Sequence, residues 1–355
     1  MYNVFCISIF TLDKATMARM SKIKKRKIKF IVFLSTITAF IVALIITNFF
    51  VPVIYLTAYF HFKKDINPIG QMRIRYIDVG YGDCTLIELP DGKTMLIDGG
   101  TGTYGNVYQL LSVLNKSKIE TIDYLVCTSV KSEHCGALKE IVRYKNVGTA
   151  FIPYVTNLYI TDEYAAFYKQ LLKSGAHVEV SEYSKGIYND EYGYFFGIIS
   201  PSATTNPYSE YDAMNNKPTT QNINHASAVL WLEYAGSGFM LLSDASVEVQ
   251  QRITQELNSE GSKIVVDGKI FNLSPCIALE VSNHCASGYV EPLLYDFIEP
   301  KAAIISVGKN AQACPSNAEI ANVQLYTNEN IYRTDVHGTI TVTVNANGYK
   351  ISKEK

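Results

Sequence analysis

The sequence predicts an α/β (α+β) protein: a four-layer αββα sandwich preceded by one membrane-spanning helix. Three observations carry that expectation. An uncharged, mostly apolar run covers residues 30–60. Beyond it, short apolar runs bounded by turn residues alternate with stretches of helical spacing. This β-rich block with helices occurs twice, the pattern of two sheets that each carry their own helices.

The first element is the membrane span. Phe30–Phe50 satisfies the ~20 apolar residues that a spanning helix needs, and Pro52 is a stop just beyond. Arg19, Lys22, Lys24, Lys25, Arg26, Lys27 and Lys29 stand before it. The positive-inside rule then places residues 1–29 in the cytoplasm as a basic segment and the helix at 30–52 in the cell membrane. Everything after it lies outside as an extracellular domain. Tyr55, Tyr59, Phe60 and Phe62 suit an outer interfacial belt. A cleaved signal peptide would have an apolar core of only ~7–15 residues and a small-residue cleavage site, and the sequence shows neither. Met17 and Met20 compete with Met1 as the start. The net charge is −1, so no global field favours nucleic acid or acidic substrates. Next to a span, the basic cluster reads as an orientation signal touching anionic lipid rather than as a nucleic-acid tail.

Residues 53–71 read as a linker and 72–353 as the globular domain. Met72–Asp78 alternates as a strand; Cys84–Leu89 and Lys93–Ile97 follow, joined by the hairpin signal Asp91-Gly92. Asn106–Asn115 has helical spacing, Thr121–Cys127 is a short apolar strand, and Cys135–Lys145 reads as a helix. Strand Ala150–Pro153, helix Glu163–Ser174 and strand His177–Val180 close the first block. Residues 181–225 are polar, tyrosine-rich and full of turn residues, and predict a long excursion with a hairpin. The second block comprises a hairpin (Ala228–Tyr234 with Phe239–Leu242), helix Val247–Leu257, strand Ile277–Val281, helix Val290–Ile298 and strand Ala302–Val307. Helix Asn317–Gln324 and strands near Ile331 and over Thr339–Val344 complete it.

Seven cysteines form no C-x-x-C pair. Cys6 lies on the expected cytoplasmic side, and the other six permit disulfides without a readable connectivity. A Cys135–Cys285 bridge would tie together the two loops that carry the candidate site.

Those loops carry a resemblance. Tyr76-Ile-Asp78-Val-Gly80-Tyr-Gly82-Asp83, the hairpin around Gly92, and Asp98-Gly99-Gly100 run in order. Asp123-Tyr-Leu-Val-Cys-Thr128, Leu241-Leu-Ser-Asp244-Ala245, Glu280-Val-Ser-Asn-His284 and Ile304-Ile-Ser-Val-Gly308 continue the series, and Tyr332-Arg-Thr-Asp335-Val-His-Gly338 ends it. The series resembles the metallo-β-lactamase-like domain of the ComEC competence-protein type over roughly residues 72–353. The resemblance implies two divalent ions about 3.5–4 Å apart that polarise a phosphate or carbonyl and generate hydroxide at neutral pH. Their first loop in that family reads T-H-x-[H/D]-x-D-H-x-G-G.

This chain departs from that loop. Ser129 stands at the first His position, Lys131 at the second ligand position and Glu133 at the Asp position; only His134 is kept. The later Asp is present as Asp244. The H-H-G-S segment reads Asn283-His284-Cys285-Ala286, and the late G-H-P-like position reads Ala313-Cys314-Pro315. Ligands for one of the two metals are gone. Glu133, His134, Asp244 and His284 remain as an N2O2 set suited to a single Zn or Mn; the alternative is no metal at all. Without one, His134 and His284 are packed histidines and Asp244 caps the helix that starts at Val247. The Lys131 ammonium would then fill the vacant metal's space and neutralise Asp244 or Glu133. Asp78 and Asp98 read as carboxylates that orient the site loops. Gly80, Gly82, Gly99 and Gly100 serve turns. His225 reads as a turn histidine. Neighbouring Cys and His residues on one loop point in different directions, which argues against a Cys–His nucleophile pair.

Two functions follow: a pseudoenzyme whose old active-site cleft binds a ligand, or a single-metal hydrolase that cleaves a phosphodiester or another ester. Nucleic acid enters as a partner through the resemblance alone.

Overall fold

Two large mixed sheets pack face to face; the first takes strands from both ends of the domain and the second from its middle. The structure is a computed structural model that describes residues 22–50, 55, 58, 64–153, 161–202, 220–309, 313–328 and 330–355. The expected start region, nearly half of the linker and the middle of the 181–225 excursion lie outside the described residues.

Helix α1 (Lys22–Phe50) has 29 residues and belongs to a unit of its own, residues 1–57. Phe30, Ile31, Phe33, Phe40 and Ile45 are exposed along it. Among the described residues no helix is long and apolar enough to cross a membrane. The described side chains of α1 are those of residues 26–43 and 45, and they begin with Arg26, Lys27 and Lys29. The uncharged part they contain falls short of the ~20 residues a span requires. The expected span over 30–52 is therefore not supported here; its far end lies outside the described side chains.

From Ala58 onward the chain forms a second unit. Its first sheet holds β1 (Met72–Tyr76), β2 (Thr85–Glu88), β3 (Thr94–Ile97), β4 (Thr121–Val126), β5 (Asn146–Ile152) and β6 (His177–Val180). Two C-terminal strands, β16 (Ile340–Asn345) and β17 (Gly348–Lys353), complete it in the order β17-β16-β1-β2-β3-β4-β5-β6. The hairpin at Asp91-Gly92 joins β2 and β3 antiparallel, as its turn chemistry predicts. From β3 to β6 the strands run parallel. The second sheet has the order β15-β14-β13-β10-β9-β8-β7. Its strands are β7 (Gly186–Asn189), β8 (Tyr194–Ser200), β9 (Val229–Tyr234), β10 (Ser237–Leu241), β13 (Cys276–Glu280), β14 (Ala303–Ile305) and β15 (Ile331–Arg333). A small separate hairpin pairs β11 (Lys263–Val266) with β12 (Lys269–Asn272).

Two apolar layers flank the second sheet. Between the sheets, Met72, Ile74, Tyr76, Ile87, Met95 and Ile97 of the first meet Phe196, Ile198, Leu230, Leu232, Phe239 and Leu241 of the second. On its outer face, Trp231, Met240 and Leu279 pack with Val249, Ile253, Leu257, Leu294 and Val323. Those partners come from α7 (Val247–Ser259), α8 (Pro292–Ile298) and α9 (Asn317–Thr327). Helices α2 (Tyr104–Lys116), α4 (Leu138–Tyr144) and α5 (Asp162–Ser174) bury Leu110, Leu111, Ile141, Phe167 and Leu171, and α4 lies against β5 of the first sheet. Helices thus accompany both sheets. Their starts are set by local chemistry: the hydroxyls of Thr103, Thr161, Ser246 and Ser316 each accept a backbone N–H from the first turn of α2, α5, α7 and α9.

The structure adds what the pattern does not show. The strand expected over Thr339–Val344 joins the first sheet, pairing Met72 with Val344 and Tyr76 with Ile340. The 181–225 excursion contains β8, a fully buried inner strand of the second sheet. The Cys135–Cys285 bridge that the sequence leaves open is not formed: both thiols are free and buried, as are Cys84, Cys127 and Cys276, while Cys314 is free and half-buried. Cys285 is part of the outer apolar layer.

Candidate metal centre and ligand cleft

The site lies where strands of both sheets end. The loops after β1, β3 and β4 meet the loops after β10, β13 and β14, and main-chain bonds lock them together. Asp83 N–H donates to Glu133 C=O (3.1 Å), Gly100 N–H to Asp83 C=O (2.8 Å) and Gly99 N–H to His134 C=O (2.8 Å). Across the sandwich, Ala228 N–H donates to Thr128 C=O (2.9 Å). Gly82 is required by close approach: at φ +117°, a Cβ there would sit 2.2 Å from the Glu133 carbonyl oxygen.

His134 lies in the short helix α3 (Ser132–Cys135) and is fully buried. Its Nδ1 is 2.9 Å from Asp98 Oδ2. A carboxylate only accepts, so Nδ1 carries the hydrogen. Asp98 is held in turn by Thr128, whose backbone N–H donates to Oδ1 (2.8 Å) and whose hydroxyl donates to Oδ2. Ser243 Oγ supports Thr128 from the second sheet at 2.7 Å. His134 Nε2 is thereby aimed at Asp244, 3.0 Å from Oδ2. The contact is short but badly directed for a hydrogen bond, and Nε2 has no partner of good geometry.

Asp244 is also fully buried. Its Oδ2 accepts from Lys131 Nζ at 2.6 Å, and the same ammonium is 3.9 Å from Glu133 Oε1. Asp244 Oδ1 has no partner. His284 stands across the cleft, its ring centroid 5.9 Å from that of His134. Its Nδ1 donates to Ser306 C=O (2.9 Å) and lies 3.3 Å from Asp83 Oδ1. That bond fixes the tautomer and leaves His284 Nε2 buried and without a partner. Tyr81 covers the ring at 4.6 Å between centroids. The turn that presents His284 is unusual: Asn283, His284 and Cys285 all have left-handed φ, at 46°, 55° and 60°.

The electrostatics follow from this packing. Burial works against a charged His134, but the Asp244 and Asp98 carboxylates outweigh it and hold its pKa well above the ordinary value. Lys131 is raised in the same way, chiefly by Asp244. The two carboxylates beside His134 shift in opposite directions. Burial dominates at Asp98 and raises it, whereas at Asp244 burial is outweighed first by His134 and then by Lys131 and His284, which bring it below the usual carboxylate range. Glu280, which accepts from Ser306 Oγ (2.9 Å), is pushed well up by burial and by Asp83. The cleft thus balances its carboxylates with cations of its own.

The structure places the expected residues as follows. Glu133, His134 and His284 offer donor atoms that all lie within 4.8 Å of one another, and so do Asp83, His134 and Asp244. Among the described residues no single group of that size holds all four expected ligands. Lys131 lies on Asp244. Asp98 orients His134, while Asp78 is outside the cluster: its Oδ1 accepts from Gly80 N–H (3.3 Å) and its Oδ2 from Lys355 (3.2 Å). His225 lies beside Glu248, 3.4 Å away. Burial pushes Cys135 and Cys285 up to about 12, which leaves neither a thiolate at neutral pH. Asp83, Thr128, Ser243 and Ser306 were given no role by sequence reasoning. The signal for Asp83 was present, since it closes the Asp78-Val-Gly-Tyr-Gly-Asp83 run.

The donor types fit one divalent ion: two imidazoles anchored from behind through Nδ1, with unpartnered Nε2 atoms and carboxylates beside them. They do not fit two, because Ser129 and Lys131 stand where further ligands would be. A family model described as the metallo-beta-lactamase superfamily matches residues 77–254, which contain β2 to β10 and the whole first loop of the site. The chain belongs to the metallo-beta-lactamase superfamily. The chain is similar to ComE operon protein 3 of Bacillus subtilis (strain 168), with 23% identity over 284 residues. That match covers 74% of this chain and 32% of the relative, so the chain spans about a third of the relative's length. Among solved structures, a CmlA beta-hydroxylase variant aligns over 78% of this chain and 54% of its own, with 12% identity and a TM-score of 0.46. Zn(2+)-bound PqqB from Methylobacterium extorquens aligns over 73% and 86%, with 10% identity and a TM-score of 0.40.

Proposed function

We propose that this superfamily domain is a binding domain whose former two-metal cleft is filled by its own cation. One observation carries the reading: Lys131 Nζ sits 2.6 Å from the buried Asp244 Oδ2, where an ion would have to bind. An ammonium neutralises charge and donates hydrogen bonds but has no Lewis acidity, so the two-ion clamp on a phosphate or carbonyl is lost. The test is elemental analysis of the purified, dialysed full-length protein, with phosphodiester and ester turnover measured on the same samples. The reading expects no stoichiometric metal and no turnover.

A second reading, a single-metal hydrolase, is favoured by the convergence of Glu133, His134 and His284. A Zn or Mn held by those residues would supply a bound water of lowered pKa. One equivalent of metal, with turnover abolished in His284→Ala, would establish it and remove the first.

We further infer that residues 30–52 anchor the protein in the cell membrane, with residues 1–29 cytoplasmic and the domain outside. The uncharged run after a basic cluster supports this. Protease protection of each end in intact cells tests it. Nucleic acid is the ligand class that the ComEC-type resemblance brings, and a binding titration across salt concentrations checks it.

A further inference from the structure

We propose that Lys131 masks a latent single-cation site, and that removing its charge opens that site to Zn or Mn. The inference rests on the reading above that the wild-type cleft is filled by its own ammonium.

Three buried polar atoms of the cluster are unsatisfied: His284 Nε2 and Asp244 Oδ1 have no partner, and His134 Nε2 has only its badly directed contact with Asp244 Oδ2. Their side chains are at most 1% exposed. Native proteins rarely leave such atoms unpaired, and three together mark a place built for something that donates to or coordinates them. Both rings are anchored on the far side, His134 by Asp98 and His284 by the Ser306 carbonyl. The Nε2 atoms are therefore held in position before any ligand arrives, and an ion that binds them displaces any proton they carry. Glu133 lies within the same 4.8 Å group as the two histidines and is partly exposed, so it can complete the set.

What excludes a cation is Lys131. Ligand-to-ion distances are about 2.0–2.2 Å. An ammonium 2.6 Å from Asp244 Oδ2 and 3.9 Å from Glu133 Oε1 holds carboxylate oxygens an ion would use and repels a second positive charge. The side chain is dispensable to the loop. Lys131 precedes α3 without capping it, and the loop is held by the Lys131 carbonyl, which accepts from His134 N–H (3.1 Å) and Cys135 N–H (3.0 Å). Replacing the side chain vacates the cleft and leaves these bonds in place.

The experiment compares full-length wild type with Lys131→Met, Lys131→Arg and Lys131→Met/His284→Ala. Each is dialysed against Zn or Mn, assayed for metal by elemental analysis and melted with and without the ion. The expected result is a metal-free wild type and a Lys131→Met protein that takes up one equivalent. Its melting temperature should rise by about 5 °C at an ion concentration ~100-fold above Kd. Lys131→Arg keeps the charge and stays metal-free, and the double variant loses the uptake. A Lys131→Met protein as metal-free as wild type, with an unmoved melt, overturns the proposal and leaves the filled-cleft reading standing. A wild type that already holds one equivalent, lost in His284→Ala, overturns both. If Lys131→Met folds only with added ion, rescue by Zn but not Mg supports the proposal; no rescue by Zn or Mn overturns it.

Discussion

Replacing Asp244 separates a cleft balanced by its own cations from one waiting for a metal, because the two predict opposite signs. Asp244 is fully buried, and its Oδ2 lies 2.6 Å from Lys131 Nζ and 3.0 Å from His134 Nε2. If those groups are the charge balance, Asp244→Ala strands two buried cations. Removing one partner of a buried ion pair costs about 3–5 kcal/mol. The Lys131 side chain is 14% exposed and can swing outward, and His134 keeps Asp98, so the lower end applies, about 3 kcal/mol. For a domain of this size that is a fall in melting temperature of roughly 6 °C. The assay is urea unfolding in metal-free buffer, followed by fluorescence of Trp231, the single tryptophan, which is buried in the outer apolar layer. Asp244→Asn keeps the shape and removes the charge, and it should lose most of the same stability. Variants as stable as wild type, or more stable, would refute the reasoning. The carboxylates around His134 would then be repelling one another in the absence of a cation.

Gly82→Ala should destabilise by more than about 2 kcal/mol, since its Cβ would strike the Glu133 carbonyl oxygen at 2.2 Å with φ at +117°; thermal melts check this. Phe239→Ala empties the layer between the sheets and should cost about 3–5 kcal/mol in chemical denaturation. Among the described cysteines, only Cys314 should react with a thiol reagent in the native protein, and the other five only after unfolding, which a timed thiol count measures. Asp65 pairs with Arg73 at 2.7 Å. Burial raises its pKa, but Arg73 and Arg75 outweigh that and lower it. A depressed carboxyl contributes stability above its unfolded value that is lost as pH falls through the folded one. Asp65→Asn should therefore cost up to about 1 kcal/mol at neutral pH, because the pair is partly exposed, and the gap to wild type should close below about pH 4.

Much of this fold is legible locally. Asp91-Gly92 names its hairpin, and apolar runs between turn residues name β1 to β6. What escapes local reading is pairing and burial on both faces. β8 reads Tyr-Phe-Phe-Gly-Ile-Ile-Ser, and every residue is buried, so it lacks the alternation that marks a strand with one wet face. β16 finds β1 across most of the domain, and nothing in its own pattern says which sheet it joins. β17 exposes nearly all of its residues on a sheet edge and leaves only Ile351 as a signal. In the site, ligand types at spaced positions point to His134, Asp244 and His284. The Thr128–Asp98 support, the Ser306 carbonyl and the left-handed turn at His284 are tertiary facts. The apolar run of α1 is plain in the sequence, but the described part of the helix contains too little of it to stand as a span.

The turn at His284 and the ammonium on Asp244 have to be explained together. Consecutive left-handed residues other than glycine cost about 1–2 kcal/mol each, and Asn283, His284 and Cys285 form three in a row. Asn bears this best, and Cys285 recovers part of the cost through burial in the outer layer, but His284 recovers none through its unpartnered Nε2. A cleft that had become mere packing would have no use for that nitrogen: any apolar residue in an ordinary turn would be more stable. Under the binding reading proposed above, the strained turn keeps the His284 edge of the site available, while the Lys131 ammonium holds the Asp244 edge.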